Sequence, residues 1–424
     1  MPVAPARSLP ASLPNFEPRQ LLLLLAITAV AAALRLFQLG EWSFWVDEAH
    51  SYRDATLPLA ELAREDRIFY AAPFLLLRAL LDGGTGAHDV FTLRLPFALV
   101  GALTVPLVAF CGRRLVGRGP ALLAAALLAL DPWHVFWSQN VRGYALMLPL
   151  ALLAVERFAA WLVSERNGDL FAAVGALGLS AFAHPTAALL APAWLACLLV
   201  QRDVARGTAR ARRSLLVLAL LLLATPWLVR LTPFQDFLVS KNDPSLLHFV
   251  QTSLFYFRPA VLLVAVVGVV LAARTLAVER FVLLVSCLVV PFAVLSVVGG
   301  GIAKVTARYA LCTLPLWHLF AGVAVVAVAG VVGERRARAR AWALAALLLV
   351  VPFTDRLTQL VDYHGPWHGA RARWHEALQL VQQSSGEAPL RVLTVNEPTA
   401  RYYLRPDHWR TAGPDPHPTV SVWP

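Results

Sequence analysis

The sequence predicts an all-α polytopic membrane protein of about eleven transmembrane helices, with a small α/β domain after them. Three observations carry this. Of 424 residues, 58% are hydrophobic and 15% charged, against about 45–50% and about 25% in soluble domains. The apolar residues gather in repeated runs of about 20, each long enough to cross the hydrocarbon core as a helix. Arginine is concentrated in alternate connections between the runs. A soluble enzyme and a disordered chain are excluded by composition. A β-barrel is excluded because the runs are continuous rather than alternating.

In order, the spans fall at roughly 20–38, 92–112, 119–137, 143–162, 170–184, 186–200, 214–230, 259–273, 281–298, 309–331 and 341–354. One set of connections, including Arg113, Arg114, Arg118, the 202–213 arginines and Arg335–Arg340, holds 18 basic and 7 acidic residues. The rest of the chain holds 19 of each, so the formal charge of +11 belongs wholly to one side. By the positive-inside rule that side is cytoplasmic. Topology therefore accounts for the basic balance, and no nucleic-acid partner is implied. An odd number of spans puts the N-terminus in the cytoplasm and the C-terminus outside. No cleavable signal peptide is evident, because the first run is long and ends in Arg35. The expected location is the cell (inner) membrane, multi-pass. Cys111, Cys197, Cys287 and Cys312 all fall within spans and read as small packing residues.

The membrane domain occupies 1–354 and carries a long outer segment at 39–91, with EWSFWVDEAHSY at 41–52. Interfacial helices are expected around 57–69 and 73–82, since PFLLLRALLD is too short to span. Residues 231–258 read as a second outer loop. No glycine-rich phosphate loop is present, which counts against an ATP-driven pump. From 355 the composition turns polar. A helix at 369–383, a strand RVLTV at 391–395, a helix at 398–404 and a strand-like TVSVW make the outer α/β domain, 355–424, expected to pack on the membrane domain.

Span order places the chemically capable residues at one outer surface. These are Asp47, Glu48 and His50; Asp131, His134, Gln139, Asn140, Arg142 and Tyr144; His184; and Lys304, Arg308 and Tyr309. The pattern fits an outward cavity at the lipid boundary containing carboxylates and cations. A lipid-tailed phosphate donor would put its tail among the helices and its phosphate on Lys304, Arg308 or Arg142. A carboxylate across the cavity could take a proton from an incoming hydroxyl. The leaving phosphate, already an anion, needs cations rather than a separate acid. Each residue also has a plainer reading. Asp47 and Glu48 suit a solvated loop, His184-Pro185 a hairpin between spans, and Arg142 a side chain snorkelling to the headgroups.

FWVDEAHSY, PFLLLRALL, FTLRLPFALVGAL, DPWHVFWSQNVRGYAL (131–146), AFAHPTAAL (181–189) and ARYALCTLPL (307–316), in this order, decide between them. The set resembles the polytopic GT-C glycosyltransferases, nearest the bacterial protein O-mannosyltransferase-like and lipid A aminoarabinose transferase-like proteins, over nearly the whole chain. The resemblance implies an inverting glycosyltransferase that moves a sugar from a polyprenyl-phosphate carrier to an acceptor at the outer face. It matches Asp47 to the general base and Glu48 to a neighbour that supports the site or orients the acceptor. It places Arg308 and Tyr309 near the carrier phosphate. Arg142, Tyr144, His184 and Lys304, from their place at the outer surface, are expected as further substrate-binding residues. Where relatives often carry Lys/His-Pro-Pro, this chain has Ala71-Ala72-Pro73, so one polar donor contact is missing.

The implied partners are the carrier-linked sugar, membrane lipids and an acceptor that is protein, lipid or glycan. No cofactor is required by the reading. No histidine or cysteine spacing marks a metal site, while the superfamily includes members that use a divalent cation and others that do not. Two rivals remain at this stage. A transporter or flippase of lipid-linked or anionic solutes would explain the spans and the cationic cavity. A non-catalytic scaffold that binds lipid-linked glycan would explain the missing motif.

Overall fold

The computed structural model describes residues 15–64, 67–82, 89–200, 244–301, 304–330, 335–385, 392–394, 397–403, 409–411 and 421–422. The described chain is a bundle of long apolar helices with a helical cap at one end. Helix α1 spans Pro18–Leu36, α2 Val46–Thr56, α3 Leu59–Arg64, α4 Ala72–Asp82, α5 Val90–Leu115, α6 Arg118–Ala129 and α7 Pro132–Ser138. Then come α8 Tyr144–Ser164, α9 Asn167–Ala183, and α10 Leu190–Val200 behind a 3₁₀ turn, Pro185–Leu189. Helices α11 Leu246–Phe257, α12 Pro259–Thr275 and α13 Val278–Gly301 follow. Next are α14 Leu314–Ala329, entered through a second 3₁₀ turn Ala307–Thr313, and α15 Arg335–His364. Among the described residues six helices are long and apolar enough to cross a membrane, or up to eight if each of two bent pairs is one span.

Large apolar side chains stay exposed on the outside of the bundle, among them Leu25, Leu103, Phe171, Leu263 and Val297. No soluble protein tolerates so broad an apolar surface, and a surrounding of lipid accounts for it. Helices lie along ten of the eleven expected spans, but α6, α9, α10 and α12 are each shorter than a full crossing, so the described helices supply six to eight crossings rather than ten. The expected span at 214–230 and Lys241 lie outside the described residues.

Two sequence expectations are corrected. Residues 46–56 form a helix where a loop was expected, and the described part of 231–258 contains the helix α11. Tertiary contacts explain the first case. The α2 segment has no apolar period, yet Glu48, Ala49, Ser51, Asp54 and Ala55 are all buried. The helix end is closed by its own Glu48, whose Oε2 accepts the Trp45 N–H at 3.0 Å. Capping also fixes other starts. Asp89 accepts the Thr92 N–H before α5, Asp131 the His134 N–H before α7, and Ser245 the His248 N–H before α11.

The breaks turn the chain sharply. Helices α6 and α7 meet at 64°, and α11 and α12 at 87°, where Arg258 has φ +62 before Pro259. The first break is lined by buried charge. Asp131 faces the Arg356 guanidinium at 2.8 Å and His318 at 3.3 Å, while Arg35 meets His134 at 2.5 Å. Charges this deep persist only when paired, so α1, α7, α14 and α15 are locked together here.

After α15 come α16 Trp374–Ser385, α17 Glu397–Tyr403 and three short strands, β1 Val392–Thr394, β2 Trp409–Thr411 and β3 Ser421–Val422. The strand order is β2-β1-β3, parallel on one side of β1 and antiparallel on the other. Helix α15 runs straight through position 355 to His364. Helix α17 lies on α2: Tyr402 stacks on Phe44 at 4.3 Å, and the Phe44 N–H donates to Tyr403 Oη at 2.5 Å.

Candidate active site

The site begins with the way α2 is held. Glu48 is completely buried, and its carboxylate accepts four hydrogen bonds. Arg94 donates from Nε at 2.9 Å and Nη2 at 2.6 Å, and the Trp45 and Val141 N–H groups each donate at 3.0 Å. Arg94, in α5, also donates to the carbonyls of Leu39, Trp42 and Ser43. Arg371 approaches Glu48 to 3.7 Å and donates to the Gln139 carbonyl at 2.8 Å. One carboxylate thus ties together α2, α5, the α7–α8 turn and the segment after α15. Burial alone would push Glu48 up; the Arg94 charge and hydrogen bonds, with Arg371 and the Trp45 N–H, outweigh it and hold the carboxyl below its usual range.

Adjacent residues on a helix point about 100° apart. With Glu48 turned inward, Asp47 faces a cavity of about 360 Å³, within the size range of small-molecule sites. His50 and Asp54 follow Asp47 at helical spacing and line the same cavity. Across from them stand Arg142, Tyr144, His184, Arg308 and Tyr309. Arg308 Nη1 lies 3.7 Å from Asp47 Oδ2, and its guanidinium sits over the Tyr309 ring. Arg142 Nη1 donates to the Asp47 carbonyl at 3.2 Å and to Ser51 Oγ at 3.1 Å. Arg67 reaches the cavity from the turn before α4 and pairs with Asp54, which Arg53 also holds at 2.9 Å.

Glycine 143 makes this arrangement possible. A Cβ there would run into the Ala183 carbonyl, so only glycine lets the start of α8 approach the end of α9 this closely. The approach brings Tyr144 and His184 together, with ring centroids 4.0 Å apart and planes at 28°. Burial foremost, then the Arg53 charge, lowers the His50 pKa, with Asp47 and Asp54 opposing and Arg142 adding to the lowering.

Of the residues singled out from sequence, the structure gathers Asp47, Arg142, Tyr144, His184, Arg308 and Tyr309 around one cavity. It does not bring Glu48 there, because that carboxylate is fully committed beneath the cavity floor. Nor does it bring Lys304, which is exposed and outside the lining. Asp131 and His134, expected in the outer cavity, belong to the interior charge cluster instead. Sequence reading did not single out Arg94, Arg371, Asp54 or Arg67. An arginine two residues before Pro96 in an otherwise apolar run was the one available signal, since such a charge needs a buried partner.

Among the described residues no group of three or more His, Cys, Asp or Glu could hold a metal ion.

Comparisons with known proteins bear on the fold. Residues 84–229 match the family model described as dolichyl-phosphate-mannose-protein mannosyltransferase. No curated protein sequence matches the chain. The structure is similar to ArnT from Cupriavidus metallidurans bound to undecaprenyl phosphate: TM-score 0.61, 14% identity, 92% of this chain and 86% of that one. It is also similar to the apo oligosaccharyltransferase of Archaeoglobus fulgidus, with TM-score 0.58, 14% identity and 94% of this chain covered. The chain spans 61% of that protein's length. The same archaeal enzyme, AglB, in complex with an inhibitory peptide and a dolichol-phosphate matches at TM-score 0.54, 14% identity, 95% of this chain and 61% of that one. The chain thus has the fold of ArnT and of the archaeal oligosaccharyltransferase, with at least six described helices long and apolar enough to cross a membrane.

Proposed function

We propose that the chain is an inverting glycosyltransferase that moves a sugar from a polyprenyl-phosphate carrier to an acceptor at the outer face of the cytoplasmic membrane. One observation carries this: the Asp47 carboxylate lies 3.7 Å from the Arg308 guanidinium in a single cavity of substrate size that Arg142 also lines. The bound undecaprenyl phosphate of ArnT and dolichol-phosphate of AglB, both on this fold, support a carrier of the same chemistry here.

In this reading the carrier phosphate displaces Asp47 from Arg308 and is held by Arg308 and Arg142. The acceptor hydroxyl gives its proton to an Asp47 carboxylate oxygen as its own oxygen attacks the anomeric carbon. The bond from that carbon to the phosphate oxygen breaks, and its electron pair leaves on the phosphate. The two guanidiniums stabilise the added negative charge. A single in-line displacement inverts the anomeric centre. Much of the rate comes from holding base, acceptor and donor in line, which can supply about 7–11 kcal/mol. Glu48 acts as a positioning residue through α2. We read residues 355–424 as a small α/β outer domain that covers the site through α17, with the N-terminus cytoplasmic and the C-terminus outside.

The test is conversion of a panel of undecaprenyl-phosphate sugars in proteoliposomes supplied with cell-envelope acceptors. The reading predicts release of undecaprenyl phosphate and a glycosylated product of opposite anomeric configuration. Retained configuration would refute the single displacement. Movement of the lipid-linked sugar across the bilayer without any covalent product would refute the transferase reading itself.

A further inference from the structure

Within the donor reading above, one cavity residue is built for a task other than holding phosphate. His184 closes the C-terminus of α9, with its N–H bonded to the Ser180 carbonyl at 2.9 Å and its ring stacked on Tyr144. Tyr144 in turn is backed by Trp137, at a ring separation of 4.1 Å. The imidazole plane is therefore fixed. Its Nδ1 lies 2.9 Å from Thr186 Oγ1, and Thr186 is buried. The same hydroxyl contacts Met147 Sδ at 3.6 Å. In that contact Thr186 donates its one proton to the sulfur, and in this arrangement its oxygen accepts from His184. That sets the tautomer with hydrogen on Nδ1. Nε2 is left as a lone-pair acceptor, without a hydrogen-bond partner among the described residues, on a ring that lines the cavity.

Phosphate oxygens cannot donate to such an atom. A sugar hydroxyl can. We propose that His184 reads the donor sugar: Nε2 accepts a hydrogen bond from a ring hydroxyl, while Arg142 and Arg308 hold the phosphate. Thr186 acts behind it as a positioning residue that fixes the tautomer. The substrate class implied is a carrier-linked sugar with a free hydroxyl facing the Tyr144–His184 stack.

The experiment measures Kd of the full chain in nanodiscs for undecaprenyl phosphate and for the same lipid carrying mannose, glucose, galactose or N-acetylglucosamine. The sugar that wild type binds tightest is the reference. His184→Phe, which keeps a ring on Tyr144 but removes both nitrogens, is expected to weaken the sugar-bearing lipid about tenfold and leave undecaprenyl phosphate unchanged. His184→Gln, which returns an acceptor oxygen near Nε2, should recover part of the loss, and Thr186→Val should reproduce it. An equal loss for both ligands, or no loss for the sugar-bearing one, overturns the assignment. A wild type that binds no undecaprenyl phosphate overturns the donor reading beneath it and this proposal with it.

Discussion

Replacing Glu48 by glutamine tests whether the site is held from below. The substitution keeps the side-chain volume but removes the charge that faces Arg94 in a fully buried pair. It also turns one of the two acceptor oxygens into an amide that donates. That amide then faces donors: Arg94 and the Val141 N–H on one side, or Arg94 and the Trp45 N–H on the other. Arg94 keeps its three carbonyl partners, so it is not stripped bare, yet it loses the carboxylate paired with it among the described residues. Breaking one partner of a buried pair costs about 3–5 kcal/mol. Folding free energy in mixed micelles, followed by tryptophan fluorescence, should fall by that amount at neutral pH. The pH dependence gives a second check. The folded pKa of Glu48 lies below its ordinary value of 4.5, so its stabilisation is fully present above that value and is lost as pH falls through the folded value. The gap between wild type and Glu48→Gln should therefore be full at pH 7 and should close in acid. A variant within about 0.5 kcal/mol of wild type, the range of ordinary surface changes, would refute the anchoring role. So would a gap that does not change with pH.

Two further outcomes follow from the same geometry. Gly143→Ala sets a methyl group against the Ala183 carbonyl, so it should cost about 1–3 kcal/mol in stability and separate the Tyr144–His184 stack, read as loss of donor binding. His50 has its pKa lowered by burial and by Arg53, so acid must force a proton onto a site that resists it. Stability should fall as pH drops below the ordinary histidine value of 6.5, and a His50→Gln variant, compared by thermal unfolding between pH 5 and 7, should lack that component.

The long apolar helices were legible in the sequence because about twenty apolar residues have few alternatives to crossing a membrane as a helix, while the bent pairs α6–α7 and α11–α12 and the short α9 and α10 were not. The site was legible in part. Asp47, Arg142, Tyr144, His184, Arg308 and Tyr309 were all singled out, and they line one cavity. Sequence adjacency could not separate Asp47 from Glu48, because only the α2 helix shows which carboxylate faces in. That helix was itself hidden, since VDEAHSYRDAT has no apolar stripe and is held by buried polar contacts. Asp131 and His134 misled for a related reason. They do sit at a turn between helices, but their partners Arg35, His318 and Arg356 come from three distant helices. The aromatic cover of α2 by Tyr402 and Tyr403 likewise joins positions some 350 residues apart, and no local pattern announces it.

The central claim is that Asp47 is the base. Asp47→Asn keeps the side chain's shape and its place above Arg308 but cannot take a proton. The full chain carrying it should fold and insert, and should bind undecaprenyl phosphate at least as tightly as wild type, since Asp47 no longer competes for Arg308. Transfer from the carrier-linked sugar should fall by at least about a hundredfold, the usual lower bound for removing a general base. Transfer at the wild-type rate would contradict the account.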